Sequence, residues 1–188
     1  MKFKDAQTNA VAMFSSPEFI ERIRDEDDTM LAHLDILTRI NAAGFLTTNS
    51  QAGRKTFGSR DGTRYELHER AYLFGFMLEK EAVQFIKNIG ISTDKNAVFA
   101  PFCSDDMYLP SALDVPVTIS KSGGQVHVNT HISMALPNSV WHSFRKQVKL
   151  NKGEPVVFIT CWDTKWNRNA SGPSGLFTDV LKVLKSVN

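Results

Sequence analysis

The chain is poor in the features that would place it in a class at once. Two of its 188 residues are cysteine, Cys103 and Cys161, and they make no Cys-x-x-Cys spacing. Both lie in apolar runs that read as strands, where reduced core thiols of a cytosolic protein sit; a disulfide would need those strands to be neighbours. No stretch approaches the about 18 consecutive apolar residues of a bilayer span. The opening MKFKDAQTNAVAMF has neither the long apolar core nor the cleavage pattern of a signal peptide, so the expected location is cytoplasmic. Charge of one sign is missing too. Lys and Arg number 22, Asp and Glu 20, for a net charge of +2, which marks neither a nucleic-acid nor a membrane-surface protein. There is no repeat, low-complexity tract or Pro/Ser linker to divide the chain. No Walker A run, Gly-x-Gly-x-x-Gly, His-Glu-x-x-His or nucleophile elbow occurs.

What remains is an ordinary globular balance, 42% hydrophobic and 22% charged. It fits one domain over residues 1–188, with 1–27 as a peripheral N-terminal segment. The chain is long enough to bury a core without staples.

Ser16 and Pro17 open a short helix to Asp25. A second helix runs from Asp28 or Thr29 to about Asn41, with Met30, Leu31, Leu34, Leu37 and Ile40 at helical spacing and Gly44 just past its end. Phe45–Thr48 reads as a short strand, and residues 64–77 as a strand that turns continuously apolar at Ala71, as a strand covered on both faces would. Glu79–Asn88 is a helix ended by Gly90, and Ala97–Cys103 a strand. Lys121-Ser122-Gly123-Gly124 joins two strands in a hairpin. Pro137 and Asn138 open a helix, Pro155–Trp162 is a buried strand, and Leu176 to Val187 a last amphipathic helix. Helices and strands alternate throughout. The fold class is therefore α/β, or α+β, with one mixed, partly antiparallel sheet flanked by helices.

Candidate chemistry gathers in three places. Thr48, Asn49, Ser50 and Gln51 follow an apolar strand, where ligands of open sheets sit, and a loop with Arg54, Lys55, Arg60 and Arg64 follows them. Glu66, His68 and Arg70 share one strand face; Glu69 faces the other way. Arg70 stands where the strand becomes apolar, so partial burial and a carboxylate or polar partner are expected. Asp163 leaves another buried strand, bracketed by Trp162 and Trp166 with Arg168 behind, and aromatics so placed can stack on a ring or close a core. If the two strands run side by side in the same direction, Thr48–Gln51 and Asp163–Trp166 face one cleft. Carboxylates Asp105 and Asp106 also follow a strand. His127 and His131 are about 13 Å apart on a strand and cannot share a metal, and no metal site is read from the chain. His131-Ile132-Ser133 resembles half of a two-histidine phosphoesterase signature whose second half is absent.

Three segments together resemble an uncharacterised domain family of bacteria and large DNA viruses. They are Ala-Gly-Phe-Leu-Thr-Thr-Asn-Ser-Gln at 43–51, Glu-Arg-Ala-Tyr-Leu-Phe-Gly-Phe-Met at 69–77 and Trp-Asp-Thr-Lys-Trp-Asn-Arg at 162–168. The family's first motif continues Pro-Gly; this chain has Ala52 and Gly53. The resemblance implies no known activity. It implies that the polar strand end, Arg70–Tyr72 and Asp163–Trp166 belong to one kind of domain.

The first functional reading is a domain binding a small anionic or nucleotide-like ligand, with hydrolytic or transferase chemistry as an extension. Its binding candidates are Thr48, Asn49, Ser50, Gln51, Arg70, Tyr72, Asp163 and Trp166. Catalytic residues and cofactor are not legible, and no membrane partner is expected. The alternatives are a winged-helix-like nucleic-acid module, built from the helix before Gly44 and the basic hairpin, and a viral or host interaction domain without chemistry.

Overall fold

The computed structural model describes residues 1–100, 102–103, 115–131 and 136–187, with the side chains of 27–28, 99–100, 102–103, 131 and 136–141 outside the description. Its elements are α1 (Phe3–Phe14), α2 (Pro17–Asp27), a 3-10 turn (Asp28–His33), α3 (Leu34–Ala42), β1 (Leu46–Gln51), β2 (Lys55–Arg60), β3 (Thr63–Leu78), α4 (Glu79–Ser92), β4 (Lys95–Ala100), β5 (Phe102–Cys103), β6 (Val115–Ser122), β7 (Gln125–His131), β8 (Leu136–Pro137), α5 (Asn138–Gln147), β9 (Val156–Trp166) and α6 (Leu176–Val187). Asp105, Asp106 and Ser133 fall outside the described residues, as does the Cys103 side chain.

The molecule is organised around β3. Its residues 71–77 are all buried, because helices cover both faces there. Tyr72, Phe74 and Phe76 join Phe3 and Ala6 of α1, Leu46 and Phe158 in one core. Ala71, Leu73 and Met77 join Leu37, Ile40, Phe85, Phe177 and Leu184, from α3, α4 and α6, in the other. Gly75 allows β1 to lie close: a Cβ there would stand 2.1 Å from the Leu46 carbonyl oxygen. The amphipathic spacing of the helices predicts their inward faces, and burial of each large side chain stabilises by about 1.5–3 kcal/mol. The sequence shows no helix at the N-terminus, yet α1 is one, and its Phe3 and Ala6 are buried.

The sheet has seven strands in the order β4-β9-β3-β6-β7, with β1 and β2 also on β3. Every ladder in it is antiparallel; β5 and β8 form a separate parallel pair. The chain therefore forms a single mixed α/β domain, and its seven-stranded sheet, expected to be partly antiparallel, is antiparallel throughout the described residues. The polar run Thr47–Gln51 does not lie beyond a strand: it is β1 itself. Likewise the basic loop is mostly β2, which continues β1 along the same edge of β3 (Gln51 opposite Tyr72, Lys55 opposite His68) and turns back at Asp61-Gly62. Both turn residues have positive φ, 51° and 76°, the conformation that suits a two-residue hairpin. On the other edge, β9 pairs with Arg70–Leu78 and β6 with Tyr65–Glu69. One long strand thus serves two half-sheets, and the sheet curls where its partners change. Among the described residues no helix is long and apolar enough to cross a membrane.

Candidate functional site

Since β1 and β9 both run antiparallel to β3, they run in the same direction on its two sides. Gln51, Tyr72 and Trp162 stand in one row across the sheet, so the three segments of the family resemblance are three neighbouring strands. Just beyond this row β9 departs from the ladder. Trp162 faces Tyr72 but Trp166 faces Arg70, so four steps of β9 answer two of β3. This bulge sends neighbouring side chains to different surroundings.

Asp163 goes inward. Its carboxylate is fully buried and is gripped by the Arg168 fork, with Nε donating to Oδ2 at 2.8 Å and Nη2 to Oδ1. Lys95, also fully buried, lies 3.9 Å from Asp163, 3.0 Å from Asp179 and against Asp94. Arg168 Nη1 reaches Asp94 at 2.8 Å. Arg168, with Lys95, holds the Asp94 carboxyl well below the usual range, and Asp163 raises the Arg168 guanidinium. Buried charge persists only when paired in this manner. Asp163 is thus committed to fastening β4, β9 and the following loop.

The β1 residues divide. Gln51 places its amide nitrogen 3.1 Å from both the Arg70 and Val117 carbonyl oxygens, tying β1 across β3 to β6. Thr48 Oγ1 donates to the Phe74 carbonyl at 3.1 Å, and Asn49 Oδ1 accepts the Ser50 N–H at 2.7 Å. Thr47, Thr48, Asn49 and Ser50 line a groove of about 910 Å³ whose opposite wall includes Met13 and Phe19. Gln51, Arg70, Tyr72, Asp163 and Trp166 are not among the lining residues of that groove. The groove and the Arg70–Trp166 rim are two places. Tyr72 is only 8% exposed and stacks on Phe74 at 5.3 Å; burial, with help from Glu69, pushes its hydroxyl up to about 12.

Arg70 is half-buried, as its position predicts, but its partner is of another kind. Among the described residues no carboxylate lies within ion-pair distance of it. Its guanidinium stacks on the Trp166 indole with Cζ 4.6 Å from the ring centroid, a cation–π contact. Burial lowers its pKa, with Asp163 opposing the shift. The polar group expected at 47–51 meets Arg70 only at the backbone, through Gln51. It is Glu69, on the opposite face, that pairs with an arginine, Arg54.

Around the stack sit His68 and Asn167, with Asn167 Nδ2 2.9 Å from His68 Nδ1. Among the described residues, Arg70 Nε and Asn167 Oδ1 are buried and meet no hydrogen-bond partner. His68 Nε2 has the Glu66 carboxylate beside it, with Oε1 at 2.9 Å. Lys55, 2.7 Å away, first, then His68 and Lys121, draw the Glu66 carboxyl down to about 2. Asn167 has φ 62°, which Asn tolerates better than most residues, and its N–H donates to the Glu69 carbonyl at 2.9 Å. Gly53 holds β1 near this corner, since a Cβ there would stand 2.3 Å from the Arg168 carbonyl oxygen.

A guanidinium laid on an indole with its Nε unmet, beside an unmet amide oxygen, has the donor and the acceptor to receive an anion that itself carries an N–H or O–H. His68 and Arg70 are legible as one strand face; Asn167, next to Trp166, escapes notice because nothing marks it except its tolerance of positive φ. The described residues contain no group of three His, Cys, Asp or Glu side chains placed to hold a metal ion. The helix of the winged-helix alternative, α3, is a core helix packed on α1 and α6. No model of a known protein family matches this chain, and no curated protein matches it.

Proposed function

We propose that this domain binds a small anionic, nucleotide-like ligand at the rim where β9 and β6 part along β3. Arg70 donates to the anion, Asn167 Oδ1 accepts a hydrogen from the ligand, His68 positions the Asn167 amide through Nδ1, and the Trp166 indole holds the guanidinium in place. The observation that carries this reading is that Arg70 Nε and Asn167 Oδ1 are both buried and unmet beside the Arg70–Trp166 stack. A buried polar group left unmet costs about 1–3 kcal/mol, and a fold that keeps two at one corner has a use for them. Gln51 is a positioning residue, fixing the Arg70 backbone and β6 together. Of the sequence-derived candidates, Arg70, Trp166 and Gln51 belong to this proposal. Tyr72 and Asp163 serve the core and the buried ion network. Thr48, Asn49 and Ser50 belong to the groove beside α1. The test is calorimetric titration of the wild type and Arg70→Ala with inorganic phosphate and with nucleoside mono- and triphosphates. Saturable binding lost in the variant supports the site; binding to none of these probes refutes it.

A further inference from the structure

β7 ends the sheet on the side away from β4, and among the described residues no strand pairs with its outer edge. Residues 125–130 are all exposed. Such an edge is a template for another chain, and proteins normally blunt it with lysine, proline, a bulge or a covering side chain. The edge at β1 is treated so: Asn41 Oδ1 accepts the Thr47 N–H at 2.9 Å and Gln147 Nε2 donates to the Thr48 carbonyl at 3.3 Å. β2, on the same side, begins with Lys55 and ends with Arg60. β7, Gln-Val-His-Val-Asn-Thr-His, contains no Lys, Arg, Asp, Glu or Pro.

A second observation concerns the side chains of that edge. The register aligns Phe57, Glu66, Lys121 and Val126 in one row and Lys55, His68, Ile119 and Val128 in another, two residues along β3. Both rows therefore lie on the same face. Val126 and Val128, which are 59% and 50% exposed, thus stand on one face of the open edge, while Phe57 lies across the half-sheet on β2, beyond Glu66 and Lys121. Two exposed valines side by side along an unpaired edge mark it as an interaction surface.

We infer that β7 is a self-association edge, and that its partner is β7 of a second copy of this chain. The two strands pair antiparallel about a two-fold axis perpendicular to the sheet. That operation keeps equivalent faces on the same side, so Val126 and Val128 of both copies form one apolar stripe across the junction. The occupant is a second copy because the strand is nearly neutral: like meets like at a two-fold, and an edge carrying lysine or glutamate would repel itself. The valines share a face with His68 and Arg70, but the inference rests on the β7 edge alone and uses neither Arg70 nor Trp166.

The test is sedimentation equilibrium on the full chain across a wide concentration range, with amide exchange measured at both ends of it. The expected result is a monomer–dimer equilibrium and protection of residues 125–131 that grows with concentration. The double variant Val126→Lys/Val128→Lys, at positions already exposed, should keep the wild-type circular dichroism and melting temperature and remain monomeric. A wild type that stays monomeric throughout, including one that associates only with a different protein, overturns the inference. So does a dimer that survives both lysines, or one whose β7 amides exchange as fast as in the monomer.

Discussion

Replacing Lys95 by Met is expected to be among the most damaging conservative changes in the chain. The side chain is fully buried, and its ammonium holds three carboxylates: Asp179 at 3.0 Å, Asp163 at 3.9 Å and Asp94. Met fills a similar volume, so the loss is electrostatic rather than a cavity. Asp163, fully buried, keeps the Arg168 fork, but Asp179, 14% exposed at its side chain, loses the cation beside it. Breaking a buried pair from one side costs about 3–5 kcal/mol because a desolvated charge is left behind. In a domain of this length each kcal/mol moves the melting temperature by roughly 2–4 °C, so the shift is roughly 6–20 °C downward. Urea unfolding, with the slope unchanged, measures the loss directly. Adding Asp179→Leu removes the stranded carboxylate, and the double variant should be more stable than the sum of the single losses predicts by about 0.5–3 kcal/mol. A Lys95→Met protein that loses less than about 1 kcal/mol, or strict additivity in the cycle, would refute the reasoning.

Two other expectations follow from single contacts. Gly53→Ala should destabilise by about 1–3 kcal/mol, since its Cβ would enter the Arg168 carbonyl at 2.3 Å, and thermal melts of Gly53→Ala against Gly62→Ala separate this crowding from positive-φ strain alone. Acid should weaken the fold in a defined window. Glu66 falls from 4.5 to about 2, and Asp94 is depressed as well. Each contributes stability that is fully present above its unfolded value and is lost as pH falls through its folded one. Stability should be flat above the usual carboxylate range and decline toward about 2, and Glu66→Gln should remove part of that decline in a pH series of urea midpoints.

The reach of the sequence varied with the kind of signal. Continuous burial of residues 71–77 and of Val156–Cys161 was legible because apolarity on both faces has few other causes, and these two segments are directly paired. The last helix and the Gly123-Gly124 hairpin were legible from periodicity and turn chemistry. Direction was not. Thr47–Gln51 reads as polar residues beyond a strand, yet the run is a strand whose polarity serves edge protection and cross-sheet ties. α1 escaped because its buried positions, Phe3, Ala6 and Phe14, are too few to set a period. At the site, alternation placed His68 and Arg70 together, and Trp166 was marked by its position. That Arg70 would stack on that indole depends on a bulge of β9, which no local pattern announces. Lys95 gave no signal because a lysine opening a strand looks solvated until Asp163 and Asp179, from distant parts of the chain, join its neighbour Asp94 around it.

The central claim is that Arg70 and Asn167 hold an anionic ligand on the Trp166 stack. The most direct measurement is calorimetric affinity for a nucleoside phosphate in four proteins: wild type, Arg70→Ala, Asn167→Ala and Arg60→Ala. Arg60 is exposed on the hairpin tip and serves as the charge-matched control. The account predicts that Arg70→Ala weakens binding roughly ten- to a hundredfold, as loss of a hydrogen bond to a charged group does. Asn167→Ala should weaken it less, and Arg60→Ala scarcely at all. Equal losses in Arg70→Ala and Arg60→Ala would mean that only diffuse charge is being read, and would contradict the account.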